Sequence, residues 1–398
     1  MSNEEKKEEP LVENVPAPGE VSKKTIIMYY GLTVGAVLLV VVIVFIIAVK
    51  LGGNPKSEES GDNSLILKYS SPENDKKVKL FKSELKDLIS TMKIDNKEVD
   101  LCDNFTFSKG DHTVEVNLKK GLDSMENLFK DCSNLIEVDL SKIDTKNVTS
   151  MSNMFSGCTE LTSVDLSKLD TSNVEYMDNM FSSCLKLKNI DFTNVKTENV
   201  KKMNHMFYQC NSLEKLDLSN FKTSNVENMA SMFDTCRELK EINLKSFDTS
   251  KVTDMSSMFA TLPSLEKIDL SSFDTKNVKS MKQMFLGCSA LKELDLSKFD
   301  ATNLEDMSSM FYECKTLTSL DLKNFVTNKL KKMGAAFAKC EKLSYIDISN
   351  FSSSNLDDTI NNIFQDVPEN CNIKYDHDKF DEKYTRESPV ENSENLHG

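Results

Sequence analysis

Residues 161–184 read LTSVDLSKLDTSNVEYMDNMFSSC, and the way this stretch divides decides the fold. Leu161, Val164 and Leu166 fit an L-x-x-L-x-L pattern, with Val164 and Leu166 alternating as the residues of a strand do. The second half keeps a different beat. In the preceding copy, Val148, Met151, Met154, Phe155 and Cys158 fall within about 120° of one another on a helical wheel, a single apolar stripe. Thr171, Ser172 and Asn173 stand just before the next stripe, where side-chain oxygens cap a helix. The unit therefore reads as a short strand, a turn, a short helix and a return.

The stretch recurs. Cys132, Cys158, Cys184, Cys210 and Cys236 are followed by Leu262, Cys288, Cys314 and Cys340, every step being 26 residues. Met-Phe pairs hold the same register from Met154-Phe155 to Met310-Phe311, with Leu128-Phe129 and Ala336-Phe337 as degenerate end copies. One such unit cannot bury its own apolar side, whereas stacked units can. The expected fold is an α/β leucine-rich repeat solenoid of nine 26-residue repeats, a parallel strand ladder backed by short helices, over residues 121–355. At about 4.8 Å per strand its sheet would run ~43 Å. Equivalent residues then form ladders, with Phe155, Phe181, Phe207 and their successors as an aromatic spine and the methionines filling beside it.

The run LTSVDLSKLDTSNVEYMDNMFSSC and its copies resemble the BspA-like leucine-rich repeat surface proteins of bacteria and protists, M-x-x-M-F-x-x-C being the most specific segment. The resemblance covers roughly 60% of the chain. It implies surface display, a role in adhesion or recognition of host or matrix components, and no catalytic residues. Many bacterial members are secreted, lipidated or wall-anchored, and here this chain departs from them.

Thr25 to Val49 is an unbroken uncharged run, TIIMYYGLTVGAVLLVVVIVFIIAV. As a helix it would span ~37 Å, enough to cross a bilayer with some tilt. The polar tail 1–24 before it, and Lys50 where a cleavage site would fall, point to a retained anchor and not a signal peptide. Lys6, Lys7, Lys23 and Lys24 against Lys50, Lys56 and Lys68 tilt the balance toward a cytoplasmic N-terminus with the repeats outside.

Between anchor and repeats, 50–63 reads as a linker and 64–120 as a small α/β cap. In the cap, SLILKYS suggests a strand, FKSELKDLISTM a helix and NFTFSKGDHTVEVNL a hairpin. Residues 356–375 would form a C-terminal cap and 376–398, almost devoid of apolar residues, a disordered tail.

A net charge of −14 disfavours nucleic acid as a partner. No nucleophile elbow, phosphate loop or metal-spaced His/Cys cluster occurs, so neither an enzyme nor a cofactor is expected. The cysteine ladder reads as packing, since Leu262 replaces one member and parallel side-chain vectors suit neither a metal nor a disulfide. The candidate site is an acidic ladder between the last two apolar strand positions: Asp139, Asp165, Asp191, Asp217, Asp269, Asp295, Asp321 and Asp347, with Asn243 at one rung. Alternation puts these carboxylates on the exposed face of the sheet, where a line of negative charge would steer a basic protein or matrix ligand. A second series, Asp144, Asp170, Asp248, Asp274 and Asp300, is explained by hydrogen bonds to the turn backbone.

Overall fold

The destination of the backbone N–H groups settles what the Met-Phe segment becomes. In the computed structural model, which describes residues 63–357 and 360–385, Met151, Asn153, Phe155 and Gly157 donate to the carbonyls of Tyr176, Asp178, Met180 and Ser182 on the next coil, at 2.8–2.9 Å. An α-helix would send those donors four residues back along its own chain. Within the coil the remaining bonds are i→i+3 turns, such as Met154 to Met151 at 3.2 Å and Cys158 to Phe155 at 3.0 Å. Two residues per coil have positive φ, Asn153 at 55° and Gly157 at 77° in this copy, and each interrupts helical winding. The expected short helices are thus replaced by a staircase of tight turns.

The reason is spacing. Helices with side chains are about 10–12 Å across, while coils joined by β-type bonds rise ~4.8 Å. The Phe rings of successive coils stack with centroids 5.4–5.9 Å apart from Phe129 to Phe337, which leaves no room for a helix in every coil. Parallel bridges from Ser150 through Tyr176 and Lys202 to Lys332 run along this side. On the opposite side lie three-residue strands in parallel register: β8 (Ser163–Asp165) with β9 (Asn189–Asp191), β10 (Lys215–Asp217) with β11 (Glu241–Asn243), and β12 (Ser319–Asp321) with β13 (Tyr345–Asp347). The anticipated unbroken sheet is therefore a set of short ladders.

The interior is built from repeated layers. The two methionines, the valine, the phenylalanine and the cysteine of a coil are all buried, as Val226, Met229, Met232, Phe233 and Cys236 illustrate. A second phenylalanine file, Phe221 to Phe351, stacks at 6.2–6.5 Å behind the strands. Phe192 sits edge-on to Phe181, Phe207 and Phe221, filling the layer where Val195 is too small.

The N-terminal cap is β structure. β1 (Ser64–Ser71) pairs antiparallel with both β6 (Gly110–Leu118) and the first repeat strand, β7 (Leu135–Asp139). The stretch expected as a helix gives one 3₁₀ segment, Ser83–Leu88, and then β3 (Ile89–Ile94), which joins β6 and β4 (Lys97–Glu98). The anticipated hairpin does not close on itself: β5 (Asn104–Phe107) pairs with β2 (Lys76–Lys79), and β6 turns away into the larger sheet. At the other end β14 (Asn372–Lys374) adds parallel to β13. Residues 376–385, expected within a disordered tail, instead pack Phe380 and Tyr384 onto the last coil, Phe380 meeting Phe351 edge-on at 6.4 Å. Among the described residues no helix is long and apolar enough to cross a membrane, and the run 25–49 lies outside them.

Candidate functional site

Each acidic-ladder carboxylate is exposed on the strand side except Asp347, which its neighbours bury, and each has a backbone task. Asp139 Oδ1 accepts the N–H of Ser141 at 2.8 Å, Asp165 that of Ser167 at 2.8 Å, Asp191 that of Thr193 at 2.8 Å and Asp217 that of Ser219 at 3.0 Å. Asp269, Asp295, Asp321 and Asp347 repeat the bond to residues two further on, at 2.9–3.1 Å. Asn243 does the same to Lys245 at 3.3 Å, which explains why an amide is accepted at that rung. These are Asx turns that close the corner after the strand. They also relieve a line of like charges: hydroxyl and amide donors hold Asp139, Asp191 and Asp269 below the ordinary carboxylate range.

The C-terminal end of the ladder is further engaged. Lys323 Nζ lies 2.8 Å from Asp321, and Lys374 Nζ 2.8 Å from Asp347. Burial alone would raise Asp347, but Lys374 and both donors of Ser349 bring it down to about 2. In the middle, the Oδ2 atoms of Asp165, Asp191, Asp217, Asp269 and Asp295 have no hydrogen-bond partner among the described residues. A shallow polar hollow lies between the Asp191 and Asp217 rungs, lined also by Thr193, Ser219 and Asn220.

The second acidic series behaves as the turn chemistry requires. Asp170 Oδ1 accepts from the N–H and hydroxyl of Ser172 at 3.0 and 2.6 Å; Asp300 repeats both bonds with Thr302, and Asp248 accepts the N–H of Ser250 at 3.0 Å. The cysteine thiols donate to phenylalanine carbonyls of the neighbouring coil, Cys158 to Phe129 at 3.1 Å and Cys236 to Phe207 at 3.0 Å. Burial pushes Cys132, Cys236, Cys288 and Cys340 up to about 12, so these thiols stay protonated and unreactive.

The threonine placed at a helix cap is instead a clamp between coils. Buried Thr249 Oγ1 donates to the Asp274 carbonyl at 2.8 Å and accepts the Asp274 N–H at 2.9 Å; Thr171, Thr197, Thr223 and Thr275 repeat this. Asn173 likewise reaches back to the Lys146 carbonyl at 2.8 Å. The Thr that recurs every 26 residues, followed two residues on by Asn in most copies, is the signal for both roles.

Constancy inside contrasts with variety outside. The outward residue two before the aspartate is Glu137, Ser163, Asn189, Lys215 or Tyr345, depending on the coil. Charges on this side often pair between coils, as Glu160 with Lys186 at 2.6 Å and Glu214 with Lys240 at 2.9 Å do.

A stack of 26-residue coils with short parallel strands on one side and stacked turns on the other defines a solenoid of the leucine-rich-repeat type. A family model described as "Mycoplasma protein of unknown function, DUF285" matches residues 123–242, 232–351 and 292–380, well over half the chain, and the chain belongs to that family. No curated protein matches it. Among solved structures, the crystal structure of a TLR13–ssRNA13 complex is similar at 16% identity, over 51% of this chain and 45% of that one, with a TM-score of 0.15. The match thus spans less than half of that chain.

Proposed function

We propose that the chain is a membrane-anchored, non-catalytic binding protein, held by residues 25–49 and displaying its repeats outside the cell for adhesion or recognition, as in the BspA-like proteins it resembles. One observation carries this reading: buried positions repeat almost unchanged, while outward positions on the strand side differ from coil to coil. A mere spacer would gain nothing from that variety. The open carboxylate oxygens of the Asp165–Asp295 stretch favour a protein or matrix ligand bearing Lys or Arg.

The test uses the full chain in detergent micelles and poly-L-lysine as probe, with polyglutamate as control. Changing Asp165, Asp191 and Asp217 together to Asn keeps the Asx turns, as Asn243 shows, and removes three charges. Retention of poly-L-lysine at low salt is expected to fall at least tenfold. Retention equal to wild type would remove the ladder from recognition.

A further inference from the structure

Two columns of residues run side by side on the strand side, just ahead of the aspartates. The first reads Lys188, Glu214, Lys240, Glu266, Lys292; the second reads Asn189, Lys215, Glu241, Lys267, Glu293. All ten are exposed. Charge alternates up each column, and from Glu214 onward the columns are out of phase, so every coil carries one positive and one negative neighbour. Alternation within a column has an internal explanation, because Glu214 pairs with Lys240 at 2.9 Å, Glu266 with Lys292 at 2.7 Å and Lys215 with Glu241 at 2.9 Å. Stacking does not explain the whole pattern. Lys267 and Glu293 make no ion pair within 4 Å among the described residues, yet they hold the phase of the checkerboard.

A checkerboard of two antiphase columns is complementary to itself. We propose that this surface pairs with a second copy of the same chain, face to face and parallel, about a twofold axis along the stacking direction. That operation leaves every coil opposite its equivalent and exchanges the columns. Glu214 of one copy then meets Lys215 of the other, Lys240 meets Glu241, Glu266 meets Lys267 and Lys292 meets Glu293. Such an interface is isologous, so each contact occurs twice. The parallel sense also brings both N-terminal ends together, as two chains anchored in one membrane require. Exposed charge pairs make the association weak and salt-sensitive, and confinement to a membrane compensates by raising the effective concentration. The inference rests on the strand side being a binding surface and names one partner for it.

Full-length chains grown with ¹⁴N and ¹⁵N are mixed in lipid vesicles and treated with a carbodiimide, which joins a lysine amine to a glutamate carboxylate as an amide. Mixed-isotope links 214–215 and 240–241 are expected at low salt and should fade at 0.5 M salt, roughly where the screening length drops to a few ångströms. Changing Lys240 and Lys292 to Glu should cut the mixed links at least tenfold. Adding Glu241→Lys and Glu293→Lys to that variant should restore them, because opposite charges again face across the axis although neighbours within each column repel. Links only within one chain, links between equivalent columns of two chains, or failure of the fourfold variant to recover would each overturn the pairing. A chain that captures poly-L-lysine yet forms no mixed links loses this proposal and keeps the one above; the converse result does the reverse.

Discussion

At the scale of single residues, the acidic ladder shows how one side chain can serve both backbone and surface. Alternation points the aspartates outward, which holds for every rung but the buried Asp347; Asx bonds were expected only of the second series, yet both series form them. Asp347 is the rung whose charge matters most for stability. Its unfolded value is about 3.9 and its folded value about 2, so its stabilisation, on the order of 2 kcal/mol, is complete above about pH 4 and is lost as pH falls toward 2. Urea midpoints of wild type and Asp347→Asn are therefore expected to differ at pH 6 and to converge near pH 2. An equal gap at both pH values would show that Lys374 contributes nothing through that charge.

At the scale of the element, the Met-Phe segment has the hydropathy of a helix and the bonding of turns, for a physical reason. Offsets of 0, 3, 6, 7 and 10 describe one face of a helix, and they equally describe consecutive i→i+3 turns that return the chain to the same face. Hydropathy records which side is buried, not where the N–H groups go. The discriminating clue was residue type: Asn127, Asn153, Asn179 and Gly157 fall where φ is positive, but His205 and Gln283 adopt the same conformation and hide the pattern. Donors leave the coil, so stability rests on bonds between coils. Thr249→Val would strip the Asp274 N–H and carbonyl of their buried partner at nearly constant volume, at a cost of about 1–3 kcal/mol. Thr249→Ser keeps both bonds. Thermal unfolding is expected to place Val well below Ser, and coincident transitions would contradict the clamp.

At the scale of the whole molecule, each coil contacts its neighbours and little else, so the interior is held to one pattern while the outside can vary. The repeat and its buried ladders were legible because 26-residue spacing survives every substitution, including Leu262 for cysteine. The caps were not, since they occur once: FKSELKDLISTM has helical composition and still gives a 3₁₀ turn and a strand, because the first coil offers an open edge that β structure extends. Of the surface, the charge pattern was legible. We propose that the strand side is where this molecule meets its partners. Carboxyl footprinting of the full chain in micelles, with and without poly-L-lysine, tests it most directly. Labelling of Asp165, Asp191, Asp217 and Asp295 should drop several-fold on binding, while that of Asp170 and Asp274, in the turns beyond the strands, stays constant. Equal protection of both series, or protection of the second alone, would contradict the account.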